Sequence, residues 1–248
     1  MRHILSFSMS LALLFNSQIL QADEIRVATA ANFYPLLSEI KKMYESRSEH
    51  RLTIIRGSTG KLYAQIVRGA PFDVFLSADS LRADKLVKLG KALDDKAYIY
   101  AIGKLALWKP NADSSMMIKE LLTEGQFRKL AIANPKTAPY GKASVEALKA
   151  MEIYEDVKNK LVYGENITQT YQFVETGAAE LGFVARSYVA GDIYWEVDKY
   201  LHKPVNQKML VIKKSSHKQA AKEFIEYLLS SEAQSLIKAS GYDIENKI

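Results

Sequence analysis

From Ile25 onward the chain alternates short runs of β-branched and apolar residues with segments whose apolar residues recur at helical spacing. Ile25-Arg26-Val27-Ala28-Thr29 has strand length and is followed by Leu36, Leu37, Ile40 and Met43, one face of a helix with Pro35 in its first turn. Arg51 to Arg56 is the next strand, and Leu62, Tyr63, Ile66 and Val67 mark a second helix that Gly69 and Pro71 stop. Asp73-Val74-Phe75-Leu76 is a third strand, leading into a helix from Ser80 to Leu89. Strands and helices in strict alternation imply parallel pairing, because each crossover helix must pack back onto the sheet.

The rhythm breaks after Gly90 and then resumes. Tyr98 to Ile102 and Lys104 to Trp108 read as two extended segments separated by Gly103. A second series follows: helix Ile118 to Leu122, strand Lys129 to Ala133, helix Lys142 to Met151, strand Lys160 to Val162, helix Thr168 to Thr176 and strand Leu181 to Val184. Extended segments at Ile193 to Val197 and Met209 to Ile212 precede two closing helices, His217 to Leu229 and Ser231 to Ala239. The expected fold class is α/β, with two lobes, each a mostly parallel sheet flanked by helices, joined by crossing strands. The expected boundaries are 23–102 plus 206–248 for lobe I and 103–205 for lobe II.

The first 22 residues stand apart. Met1-Arg2-His3 is a short basic head, Ile4 to Phe15 is apolar apart from serines, and Ala22 precedes Asp23-Glu24. That order reads as a cleaved secretory signal over 1–22, and the apolar stretch is short of the roughly 20 residues a spanning helix needs. No membrane insertion is expected after its removal. The 248 residues contain no cysteine, which excludes a disulfide framework, a thiolate metal site, a cysteine nucleophile and a lipid-anchored N-terminus. The formal net charge of +6 is spread along helices instead of clustered, so nucleic acid is not an expected partner. His3, His50, His202 and His217 have no metal-ligand spacing.

In open parallel sheets a ligand sits beyond the carboxyl ends of the strands, where loops enter helix N-termini. Four loops occupy such places: Ala30-Ala31-Asn32-Phe33, Gly57-Ser58-Thr59-Gly60, Ala138-Pro139-Tyr140-Gly141 and Gly164-Glu165-Asn166-Ile167-Thr168. Two belong to each lobe, so they could face one another across a cleft. Each offers free N–H groups, small residues and a hydroxyl or amide, and each helix start carries about +0.5 charge. Together they suit a tetrahedral dianion held by neutral donors. Each loop also has a plainer reading: Asn32, Ser58 and Thr59 as caps, and Asn166 with Gln169 as a capping box. Catalytic signatures are missing: there is no Gly-x-Ser-x-Gly elbow, and the Gly57-x-x-Gly60-Lys61 run lacks the first glycine and the final hydroxyl of a phosphate loop. Asp73 and Asp79 flank a strand and fit a turn or cap role; Asp94-Asp95 fits a solvated connection.

The segments VATAANF (27–33), GSTGKLYAQI (57–66), GAPFDVFLSAD (69–79), YAIGKLALW (100–108), IANPKTAPYGKASVEAL (132–148), GENITQTYQFV (164–174) and AELGFVARS (179–187) carry a resemblance over nearly all of the mature chain. In that order they resemble the periplasmic molybdate-binding components of ABC importers, which have the type II periplasmic binding protein fold. The resemblance implies a non-enzymatic, monomeric periplasmic carrier without a cofactor, which binds molybdate or tungstate between its lobes and passes it to a membrane permease. It implies ligand contacts from Asn32, Ser58 or Thr59, and backbone N–H groups of Tyr140, Ile167 and Ala31; molybdenum enters only as the oxyanion. Some family members add a tyrosine hydroxyl where this chain has Ala185, so a fifth donor is unassigned, and neighbouring Arg186 reads as a solvated rim residue. Sulfate, or an enzyme on the same fold, are the competing expectations.

Overall fold

The computed structural model describes residues 22–245; the expected secretory signal therefore lies, except for Ala22, outside the described residues. Two five-stranded mixed sheets organise the chain. The first has the order β2-β1-β3-β10-β4, formed by β1 (Glu24–Ala30), β2 (Arg51–Gly57), β3 (Val74–Ser77), β4 (Tyr98–Gly103) and β10 (Val205–Val211). The second has the order β7-β6-β8-β5-β9, formed by β5 (Leu105–Trp108), β6 (Leu130–Ala133), β7 (Leu161–Gly164), β8 (Leu181–Ala185) and β9 (Tyr194–Glu196). Parallel pairing is confined to three strands of each sheet, β1 with β2 and β3, and β6 with β7 and β8. The remaining pairings, β10 with β3 and β4, and β5 with β8 and β9, are antiparallel. The parallel part of each sheet is thus its βαβ series, and the antiparallel part is built by the strands next to the crossings.

The first crossing is a single residue, Lys104, between β4 and β5. Gly103, expected from sequence to be the break, is instead the last residue of β4 and pairs with Val205. The second crossing runs from β9 to β10.

Period-two alternation decides which face each strand residue covers. Ile25, Val27, Val74, Leu76, Met209 and Val211 pack under α1 (Tyr34–Glu45) and α8 (Lys218–Leu228). Their sequence neighbours Ala28, Phe75 and Leu210 pack on the other face with Leu62, Ile66, Ala83 and Leu86 of α2 (Thr59–Val67) and α3 (Ser80–Lys88). Leu105, Leu107, Leu130, Ile132, Leu181 and Phe183 do the same in the second sheet, under α4 (Ser115–Thr123) and α5 (Pro139–Ala150). Strands covered on both faces must be apolar throughout, and β3, β5, β6 and β8 are buried at every position.

The chain also forms a one-turn α6 (Tyr154–Val157), then α7 (Ile167–Glu175) and α9 (Ser231–Ala239). The short α6 has no expectation behind it, because four residues give no readable period. The parallel strands of both sheets aim their carboxyl ends at the junction between the lobes, and α2, α5 and α7 begin there.

Candidate oxyanion site

One small cavity collects the four loops: Ala30, Ala31, Asn32, Gly57, Ser58, Thr59 and Ala78 from the first sheet, and Ala138, Pro139, Tyr140 and Ile167 from the second. All six residues singled out from sequence line it. They are nearly sealed from solvent, with 1% exposure at Thr59, 2% at Asn32, Ser58 and Tyr140, 3% at Ile167 and 4% at Ala31. No charged side chain lines the cavity among the described residues, so its polarity comes from peptide groups and hydroxyls.

The local geometry leaves N–H groups free in the right places. The first turns of a helix have no internal acceptors for their N–H groups. At α7, Asn166 Oδ1 accepts from the N–H groups of Thr168 (3.0 Å) and Gln169 (3.1 Å), and Gln169 Oε1 accepts from the Glu165 N–H at 2.7 Å. This reciprocal cap is the one Asn166 and Gln169 suggested, and it passes over the Ile167 N–H. At α2, the Gly60 N–H donates to Thr137 O across the lobes at 2.9 Å. Ser58 and Thr59 precede it, and among the described residues the buried Ser58 hydroxyl has no hydrogen-bond partner. Thr59 Oγ1 accepts from the Ala78 N–H at 3.2 Å, which leaves its own hydrogen to donate. At α5, neither Ala138 as N-cap nor Pro139 supplies a capping bond, and Tyr140 is the first residue there with an N–H to give.

Behind the cavity lies a polar cluster that crosses the lobes. Asn32 Nδ2 donates to Gln207 Oε1 (2.9 Å) and lies 3.3 Å from the Tyr242 hydroxyl. Tyr100 donates to the same Gln207 oxygen at 3.0 Å, and Tyr242 donates to Asn32 O at 2.8 Å. The Asn32 amide nitrogen, read from sequence as part of a donor for the guest, is thus spent on this cluster. Burial pushes the Tyr100, Tyr140, Tyr188 and Tyr242 hydroxyls above the ordinary tyrosine range, so they stay neutral donors. Gln207, at 0% exposure on the inward face of β10 between Val205 and Met209, is the residue the sequence reading missed; a polar side chain on an apolar face was its available signal. Ala78, at the carboxyl end of β3, was also passed over, although it obeys the same strand-end rule as the others.

The acids keep structural roles. Asp79 caps α3 by accepting from the Arg82 N–H at 2.8 Å, and Asp73 accepts from the Arg26 N–H (2.7 Å) and the Ser215 hydroxyl (2.6 Å). Arg186 donates to the Tyr194 hydroxyl (2.7 Å) and pairs with Glu196 (3.2 Å), away from the cavity lining.

A cleft between two α/β lobes, lined by helix starts from both, defines the class of two-lobed solute-binding proteins. Consistent with this, the family model of bacterial extracellular solute-binding proteins matches residues 25–243, and the chain belongs to that family. It is 40% identical over 231 residues to the molybdate-binding protein ModA of Azotobacter vinelandii, covering 91% of this chain and 92% of the relative. It is 39% identical over 228 residues to the molybdate-binding protein ModA of Rhodobacter capsulatus, covering 90% of each. The solved structure of the Azotobacter vinelandii periplasmic molybdate-binding protein superposes with a TM-score of 0.85 at 33% identity, over 90% of this chain and 100% of that one. The chain is thus a binding component and not an enzyme, and its two-lobe architecture is that of these relatives. Among the described residues, no helix is long and apolar enough to cross a membrane.

Proposed function

We propose that this protein captures molybdate between its lobes and delivers it to the permease of an ABC importer. The observation that carries the reading is the single uncharged cavity in which Ala31, Asn32, Ser58 and Thr59 of one lobe meet Tyr140 and Ile167 of the other. A dianion there would be neutralised by peptide dipoles at helix starts, each worth about half a charge, and would be held without a buried lysine or arginine. The donors are the backbone N–H groups of Ala31, Asn32, Tyr140 and Ile167, with the Ser58 and Thr59 hydroxyls. Tungstate, of the same charge and shape, would occupy the same site.

The rest of the reading follows from this site. The lobes, 23–102 with 206–248 and 103–205, move about the crossings near Lys104 and between β9 and β10. Guest binding favours the closed state in proportion to the contacts made only there. The chain is secreted through residues 1–22 and works as a periplasmic monomer. Titration calorimetry of the purified mature protein with molybdate, tungstate and sulfate tests the proposal. The expected result is tight binding of the first two and much weaker binding of sulfate. A preference for sulfate would overturn the assignment of the guest.

A further inference from the structure

Ala185 ends β8 with a methyl group, and neither of the next two hydroxyl-bearing residues, Ser187 and Tyr188, lines the cavity. Both instead reach across to the turn that carries Asn32. The Tyr188 hydroxyl donates to Ala31 O at 2.9 Å and, having spent its hydrogen there, accepts from Thr168 Oγ1 at 2.7 Å. One residue earlier, Ser187 Oγ donates to the Tyr242 hydroxyl (3.1 Å), which donates to Asn32 O (2.8 Å). Consecutive residues of lobe II thereby feed consecutive carbonyls of lobe I.

The target of Tyr188 is telling. Ala31 C=O and Asn32 N–H belong to the same peptide group. Ala31 O already accepts the Tyr34 N–H of its own turn, so Tyr188 fills its second lone pair. Hydrogen bonds in series polarise one another, which makes the Asn32 N–H of that peptide a stronger donor and fixes the peptide plane. The chain of hydroxyls begins at Thr168, next to Ile167, which lines the same cavity. The link therefore ties the two lobes' loops together, and it spans 157 positions of chain from Tyr188 to Ala31.

Resting on the oxyanion reading above, we propose that Tyr188 is a positioning residue for the guest: its hydroxyl, backed by Thr168, latches lobe II to the Ala31–Asn32 peptide and so takes the place of a direct hydroxyl contact from position 185. The ring is held independently of the hydroxyl. It packs at 5.3 Å from Tyr171, which stacks on Trp108 at 4.9 Å. Tyr188→Phe consequently keeps the packing and removes only the latch.

The test is titration calorimetry and thermal melting of the mature wild type, Tyr188→Phe, Thr168→Val and the double variant, each with and without molybdate. Tyr188→Phe is expected to bind molybdate about 3- to 10-fold more weakly, with an unchanged melting temperature in the ligand-free state and a smaller ligand-induced rise. Thr168→Val is expected to weaken binding less. Adding it to Tyr188→Phe should cost nothing further, because residues of one network are non-additive. Small-angle scattering should show incomplete compaction of Tyr188→Phe at a molybdate concentration that closes the wild type. Unchanged affinity in Tyr188→Phe would overturn the latch, as would a drop in ligand-free melting temperature that accounts for the loss. If the wild type binds none of the oxyanions, it is the parent reading that fails, and the latch fails with it.

Discussion

Thr59 shows how one side chain can be given a single job. Its oxygen accepts from the Ala78 N–H, so the hydroxyl hydrogen remains available to a guest in the cavity that Thr59 lines. A hydrogen bond to a charged partner contributes about 1.5–3 kcal/mol. Thr59→Ala is therefore expected to weaken molybdate binding by roughly 10- to 100-fold by calorimetry, and Thr59→Ser to restore most of it. Asn32→Ala should behave differently. It removes a partner of the fully buried Gln207, so it should lower unfolding free energy by about 1–3 kcal/mol as well as affinity, and urea melts would separate the two effects. Sequence brought Asn32, Ser58, Thr59 and Tyr140 forward because they fall in strand-end loops that enter helix starts, although each also had a plainer reading as a cap or a lone loop residue. It did not reveal that the Asn32 amide faces Gln207, since that contact spans 175 positions of chain.

At the scale of elements, the helix starts are placed by close approach to strand ends. Gly141, in the first turn of α5, lies so near the end of β6 that an added Cβ would meet Ala133 O at 1.9 Å. Gly141→Ala must lift the helix start away from the strand and carry the Tyr140 N–H with it. We expect a loss of about 1–3 kcal/mol in stability and molybdate binding reduced to background. Gly191→Ala, where an added Cβ meets nothing within 4 Å, should change neither. Most elements were readable because the period of apolar residues changes from two in strands to near four in helices. The exceptions have local causes. The α6 turn is too short to show a period, and each mostly parallel sheet carries one reversed strand, β10 or β5, because these enter from the crossings instead of from a βαβ unit.

For the molecule as a whole, the uncharged cavity predicts an unusual indifference to pH. No carboxylate or histidine lines it among the described residues, and the tyrosines behind it are held neutral by burial. Molybdate affinity should stay flat from about pH 6 to 9, as titrations across that range would show. Stability behaves otherwise at alkaline pH. The buried tyrosines ionise in the folded state only above their ordinary value of 10.0, while in the unfolded chain they ionise near it. Above pH 10 the unfolded state then binds fewer protons than the native one, so stability falls as pH rises. Urea midpoints should be level up to about pH 9 and decline beyond the ordinary tyrosine range near 10. Charge at the cleft mouth, such as Lys61 with Glu165 at 2.7 Å, is about half exposed and should matter little to either measurement.

Sequence alone determined the elements, the two-lobe division of labour along the chain, and which loops could face a guest, because periodicity and turn chemistry are local properties. It also excluded thiol chemistry and pointed away from catalysis through what it lacks. Only the tertiary structure decided that the four loops share one cavity, that no charged side chain among the described residues lines it, and that Gln207, Tyr242 and Tyr188 stand behind the Asn32 turn. Those facts depend on pairs of residues brought together from distant parts of the chain, and the spacing of side chains along a strand or helix carries no record of what the opposite lobe will place against them.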